Sequence, residues 1–533
     1  MSDEPVIATE RPSLLRRFRF PAILFGLLGL AWLAMAGMER FDIGMEYFFS
    51  AMMGFQFLFM FTILATCVWF LFASGFSWKV RVFVSLFVAT GLIAFIMMVQ
   101  KMEFDGQMTP RVHWVWEPND EQRLASIRSA PTVGGTDLTQ GPLDSPQYRG
   151  INGDGAMPVR INVEKPVSDW PIRWQHAVGG GHAGIAVVGN SAITLEQDGD
   201  REHVVCYDRD NGNKRWDYAY AALFNQTEPM GGVGPRSTPT IRDSEVYTLG
   251  GTGLLHCLDG RTGTLRWQVN VISDTGSAVP EWGVTASPVV TDKLVIVNAG
   301  VNPKDNKKQA LAAYDRKNGT RVWANGSAPA AYASPRLVTL LGVPQVLTFD
   351  GVGLGGYDPE SGAELWRYPW KTDMLMNSAQ PVIVGNDRIF VSSEKSNGGA
   401  MLSMKIEGNE WKLSEQWKTR ALSARFSNPV ILKDHLYGLS GGSLVCVDAS
   451  TGQRLWSEGN YGNGQVILAG EHLVITSEKG EVSVANASPA GYESHGRLKV
   501  LADRTWNVPT LAGGQLFVRN HREMAMIEVP IVR

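Results

Sequence analysis

Nine side chains with chemical character stand at the heads of short apolar segments. They are His182 in GGGHAGIAV (179–187), Arg236 in GPRSTPTI (234–241), Glu281 and Trp282 in PEWGVTASPVV (280–290), Tyr332 in AAYASPRLV (330–338), Asn377 in MNSAQPVIV (376–384), Arg425 and Asn428 in ARFSNPVIL (424–432), and Asn507 in TWNVPTLA (505–512). An eighth head, YGNGQVIL (461–468), is polar without a distinctive group. Brought to one axis, these heads would offer an aromatic floor, two guanidiniums, a carboxylate and several amides. That set suits a polar, anionic small ligand. The competing reading is that the same side chains satisfy backbone groups and water in a lined channel. Either reading requires elements that converge.

A repeat supplies that convergence. CYDRDNGNKRW (206–216), CLDGRTGTLRW (257–267), YDRKNGTRVW (314–323), YDPESGAELW (357–366) and CVDASTGQRLW (446–456) each place a Gly four residues after an Asp and a Trp four further on. The Asp carboxylate can accept backbone N–H groups in a turn, and the Gly supplies the left-handed residue that ends it. The Trp then opens an outer strand with its ring buried. Weaker copies lie at Trp174, at Trp417 after MLSMKIEGNEW, and in ASPAGYESHGRLKVL (487–501), where an aliphatic strand replaces the Trp. About three short strands fit between successive copies, for example SPVVTDKLVIVNAG (287–300). Four strands per unit and eight units predict an all-β, eight-bladed β-propeller over 171–533. The Trp174 strand precedes any complete unit, so it is expected to pair with the C-terminal strands and close the ring.

These repeats resemble those of the pyrroloquinoline-quinone (PQQ)-like propellers, whose docking motif reads roughly A-x-D-x-x-T-G-x-x-x-W. The resemblance covers about 145–533. It implies one of two activities, since the family contains quinoprotein alcohol and glucose dehydrogenases and also a non-enzymatic lipoprotein that helps assemble outer-membrane barrels. The enzyme branch implies PQQ with Ca²⁺, a quinone stacked on an aromatic and often on a disulfide between adjacent cysteines, and an Asp base. This chain has four cysteines and no adjacent pair. Cys206, Cys257 and Cys446 each fall two residues before a motif Asp and read as core thiols, while Cys67 lies in an apolar run. Glu281 and Asp373 are the main carboxylates expected near the funnel. No C-x-x-C-H occurs, and no metal site is read from residue spacing. The glycine-rich GGVG, GGTG and GVGLGG open no helix after a strand, so they are turns and not phosphate cradles. A net charge of −3 gives no case for nucleic acid.

The first hundred residues differ. The runs Phe20–Met38, Tyr47–Phe76 and Val82–Gln100 predict three transmembrane helices. Arg11, Arg16, Arg17, Arg19, Lys79 and Arg81 fall on one side, against Glu39, Asp42, Glu46, Glu103 and Asp105 on the other, with Arg40 and Lys101. This asymmetry predicts a cytoplasmic tail (1–19), a three-helix anchor (20–100) in the inner membrane, and a periplasmic remainder. Residues 101–170 read as a connector. MTPRVHWVWEP would form a strand or arm on the propeller, the stretch to about 145 reads as loop, and SPQYRGINGDGAMP (145–158) as a turn-rich segment packed on the ring. The sequence therefore points to a membrane-anchored periplasmic scaffold for envelope proteins or a small polar ligand. The alternative is a quinoprotein dehydrogenase that passes electrons to membrane quinone.

Overall fold

In each of the five clean repeats the Asp does what its spacing requires. Asp259 Oδ1 accepts the backbone N–H groups of Arg261 and Thr262 at 3.0 and 3.2 Å. Gly263 then takes φ +73°, where a side chain is strained. The same carboxylate geometry recurs at Asp208, Asp315, Asp358 and Asp448. These turns join the third and fourth strands of successive sheets in a computed structural model that describes residues 18–40, 45–106, 110–128, 134–300, 309–372, 375–393 and 397–532. Arg11, Arg16, Arg17, Asp42 and Asp373 lie outside the described residues.

Eight sheets form an eight-bladed propeller. The first blade is Ala186–Val188, Ser191–Asp198, Arg201–Asp208 and Lys214–Ala221, from the innermost strand outwards. The innermost strands of blades two to seven are Thr240–Arg242, Val289–Val290, Arg336–Leu340, Val382–Val384, Val430–Leu432 and Gln465–Ala469. The eighth blade closes the ring as expected. Its three C-terminal strands, Thr510–Ala512, Gln515–Arg519 and Glu523–Glu528, take Ile172–Ala177 as their fourth, with Trp174 opposite Met526.

Each docking Trp reaches across to the following blade. A Cβ on Gly263 would come within 2.6 Å of the Trp216 ring, and the Trp216 indole donates to Gly260 O at 2.9 Å. Trp174 docks the same way on Gly212, Trp267 on Gly319 and Trp417 on Gly452, each donating to a carbonyl of the neighbouring turn. Trp366 departs from the pattern. The fifth blade replaces the Asp–Gly turn with the long hairpin Gly399–Glu407/Glu410–Thr419, and Trp366 donates to Gln345 of its own blade at 2.7 Å. Cys206, Cys257 and Cys446 sit directly opposite Trp216, Trp267 and Trp456, fully buried and unpaired, as core thiols should.

The N-terminal unit contains the helices Arg19–Arg40, Met45–Phe72 and Trp78–Met98. Two segments, Gly54–Phe72 and Trp78–Met98, are long and apolar enough to cross a bilayer; the apolar part described in the first helix, Arg19–Ala34, is shorter. The expectation of three spans thus reduces to two by this measure. The third run also ends early, because Val99 and Gln100 start a strand, Val99–Phe104, which pairs with Pro110–Trp114. Residues Met102–Val112 of this ribbon belong to the propeller's compact unit.

The connector is more ordered than its composition predicts. Asp120–Arg128 is helical where the sequence reads as loop. The reason is a reciprocal cap: Asn119 Oδ1 accepts from Gln122 N–H at 2.8 Å, and Gln122 Oε1 accepts from Asn119 N–H at 3.1 Å. The 145–158 segment runs along the ends of several innermost strands. Ser145 bridges Val187, Pro146 O accepts from Ile241, and Ala156–Met157 adds a parallel strand to the seventh blade. Its Arg149 is 4% exposed and donates to Pro429 O at 3.0 Å.

Candidate functional site

The loops before the innermost strands meet the loops between second and third strands at one face, which forms the funnel mouth. His182 and Arg236 come together there. His182 Nε2 lies 2.8 Å from Gly231 O, and Arg236 donates to Gly231 O at 2.9 Å, Gly234 O at 3.0 Å and Thr227 Oγ1 at 3.1 Å. Burial, then the neighbouring Arg504, lowers Arg236 to about 10. Burial followed by Arg236, Arg504 and His521 drives His182 well below the ordinary imidazole range, so it stays neutral. Tyr332 faces the same guanidinium, and burial pushes its phenol up to about 12. Trp282 is half-buried, its ring 2.7 Å from where a Cβ on Gly231 would be.

The remaining predicted residues are arranged differently. Glu281 is exposed. Asn377 is fully buried and its amide donates to Asp350 O at 2.7 Å. Asn507 donates to Ala183 O at 2.8 Å, and Asn428 accepts from Gln380 N–H at 2.7 Å while donating to the Tyr148 hydroxyl at 2.9 Å. These three amides hold inter-blade backbone in place. Arg425 lies over the Phe426 ring at 4.8 Å, and that ring is 5.6 Å from Trp506.

Two residues that sequence reasoning passed over are central to the mouth. The Arg504 guanidinium stacks 4.2 Å above Trp506, whose indole donates to Glu478 Oε1 at 2.8 Å. Arg504 immediately precedes the head TWNVPTLA and Trp506 lies within it, so an arginine and an aromatic spaced two apart before a strand were a usable signal. Arg504 Nε and Nη2 are buried donors without an acceptor, as is Trp282 Nε1. The chain's own arm covers this part of the funnel. Phe104 O accepts from Arg504, Gly106 N–H donates to Glu478 Oε1 at 2.8 Å, and Gly106 O accepts from Arg425 at 3.3 Å. The connector's sequence suggested a strand or arm on the propeller, but nothing in it could show where the arm docks, because its partners lie more than three hundred residues away.

A family model described as outer membrane protein assembly factor BamB matches residues 200–458 and 414–489. The chain belongs to this family. A Pseudomonas putida relative, quinohemoprotein alcohol dehydrogenase ADH-IIG, is 30% identical over 151 residues, 25% of this chain and 19% of that protein. The chain therefore matches about a fifth of that relative's length. Among solved structures, quinohemoprotein alcohol dehydrogenase from Comamonas testosteroni is similar over 78% of this chain and 85% of its own, at 13% identity and a TM-score of 0.52. BamB from Moraxella catarrhalis is similar over 67% of this chain and 99% of its own, at 18% identity and a TM-score of 0.49. At that identity the likeness to the Comamonas testosteroni enzyme speaks for the propeller fold alone.

Proposed function

We propose that this family member is a membrane-anchored propeller facing the periplasm and acting as a binding scaffold, for envelope proteins or for a small anionic ligand at the funnel. Membrane attachment is supported by the two long apolar helices and by the basic residues on one side of the apolar runs. With the first helix as a third span, the chain would leave the membrane on the outer side.

The observation that carries the binding reading is the state of the funnel's donor set. Arg236 and Arg504 donate to main-chain carbonyls of Gly231, Met230 and Phe104. Glu478 accepts from Gly106, Asn463 and Trp506. A quinone held with Ca²⁺ needs carboxylate and amide oxygens turned to the ion and an open aromatic face. Here the carboxylate is already saturated by donors, the Trp506 face carries Arg504, and the three propeller cysteines lie opposite docking tryptophans at the rim. Among the described residues, Glu478 and Trp506 are thus already engaged within the protein, which favours the scaffold reading. The unpaired N–H groups of Arg504 and Trp282 suit a carboxylate or phosphate group instead.

The dehydrogenase alternative draws support from the 151-residue match to a quinohemoprotein. The deciding experiment adds PQQ and Ca²⁺ to the purified full-length chain. No change in quinone absorbance and no dye-linked oxidation of alcohols or sugars is expected; either signal would overturn the scaffold reading. Orientation is tested separately by a reporter fused after Arg533. One that works only in the periplasm should be active, and activity of a cytoplasm-only reporter would refute the topology.

A further inference from the structure

Beside the funnel, the covering arm meets the eighth blade through three ionisable side chains whose arrangement is independent of the reading above. Glu103 comes from the arm, Asp503 from the loop before the innermost strand, and His521 from the loop between the second and third strands. They are 3%, 4% and 7% exposed. One ligand atom from each lies within 4.8 Å of the others. We propose that this triad binds a divalent first-row transition ion, of which Zn²⁺ is the model, and that the ion fastens the arm Met102–Val112 to the closing blade.

The geometry and the chemistry of the donors agree. Ligand oxygen and nitrogen atoms at about 2.0–2.2 Å from a tetrahedral ion stand roughly 3.3 Å apart. His521 Nε2 is 3.3 Å from Glu103 Oε2. That separation is long for a charge-assisted hydrogen bond, and both ring nitrogens of His521 lack a hydrogen-bond partner despite their burial. An imidazole buried in this way is costly unless something coordinates it.

Asp503 is prepared for a divided role. Its Oδ1 receives Arg111 Nη1 at 2.7 Å and the Arg504 N–H at 2.7 Å. Its Oδ2 is 3.8 Å from Arg522 Nε, beyond hydrogen-bond reach of that atom. A carboxylate that ligates a metal is commonly held through its other oxygen by such a hydrogen-bonded partner, which fixes its orientation. One imidazole with two carboxylates favours Zn²⁺ or a neighbouring transition ion over Ca²⁺, which prefers six to eight oxygens. Water would complete the coordination.

The test uses the full-length protein in detergent, stripped with chelator and then titrated with Zn²⁺ alone. Wild type should retain one Zn²⁺ per chain through gel filtration and melt at a higher temperature with the ion than without it. Glu103→Gln and His521→Ala should each weaken binding by more than about tenfold and abolish the Zn²⁺-dependent rise in Tm. His472→Ala, at a histidine of the seventh blade outside the triad, should bind as wild type. Failure of stripped wild type to retain Zn²⁺ would overturn the proposal without reference to any variant. Unchanged binding by Glu103→Gln or His521→Ala would do the same, since the ion would then sit elsewhere. A plain Glu103 to His521 ion pair predicts a lower Tm in Glu103→Gln and no Zn²⁺ effect in wild type, which would also refute it. PQQ and Ca²⁺ play no part in this readout, so its result and that of the quinone experiment are separable.

Discussion

At the rim of the propeller, five turns repeat one solution: a carboxylate over two backbone N–H groups, a left-handed glycine, and an indole laid on that glycine from the preceding blade. At the funnel mouth no two blades offer the same arrangement. Blade one presents a neutral histidine, blade two a half-buried arginine, blade six an arginine on a phenylalanine, and blade eight an arginine on a tryptophan. The rim is a packing problem that every blade faces identically, so one sequence answers it repeatedly. The mouth faces a single axis, where identical groups would place like charges together, so each blade must differ. Periodicity therefore marks what holds the molecule together, and the interruption of periodicity marks the candidate site.

Truncating the rim tryptophans should produce the largest losses. Trp216 and Trp267 are 5% and 7% exposed and each donates to the next blade. Trp267→Ala should cost about 3–5 kcal/mol, read by denaturant unfolding. Trp282→Ala, at the half-buried mouth position, should cost only about 1 kcal/mol and instead weaken ligand or partner binding. Equal losses at the two sites would erase the distinction between rim and mouth.

A smaller effect separates backbone conformation from docking. Gly263 and Gly408 both have positive φ, +73° and +64°. A Cβ on Gly263 would approach Trp216 within 2.6 Å, whereas one on Gly408 meets nothing within 4 Å. Gly408→Ala should cost about 1 kcal/mol from the left-handed conformation alone. Gly263→Ala should cost about 2 kcal/mol or more, because the Trp216 ring must also move. Identical values would mean the indole is not seated on the turn.

The same division explains what could be read from the sequence. Blade number, ring closure through Trp174 and the core thiols all follow from a spacing that recurs, and recurrence is visible without a structure. The heads of the innermost strands were also legible, and they include His182 and Arg236, which meet. Asn377, Asn428 and Asn507 were legible as polar but not as inter-blade braces, since an amide at a strand head looks the same whether it faces a ligand or a carbonyl. An arm or strand over MTPRVHWVWEP could be read, but not where it docks. Glu103, Phe104 and Gly106 gain their roles from Arg504, Arg425, Glu478 and His521, and contacts of such sequence separation leave no local signal. The helix Asp120–Arg128 was missed for a different reason: its Asn119 to Gln122 capping box was present in the sequence but masked by the polar composition around it.

The smallest effect expected concerns the thiols of the rim. Burial raises the Cys206 and Cys257 thiols from an ordinary 9.0 to about 12, and Cys446 to about 11. A thiol reagent at pH 8 should therefore leave all three unlabelled in the folded protein, and reductant should not shift the Tm. Because the folded-state values are raised, the unfolded chain loses these protons first as pH climbs. The thiols' contribution to stability is complete below pH 9 and declines between about pH 9 and 12. Tyrosines whose phenols are raised by burial, such as Tyr332, act in the same direction at higher pH. A Cys206→Ala, Cys257→Ala double variant isolates the thiol part: its stability should fall less steeply than wild type between pH 9 and 11. Parallel slopes for the two proteins, or rapid labelling at pH 8, would show that the tryptophan layer does not exclude solvent from the strands it covers.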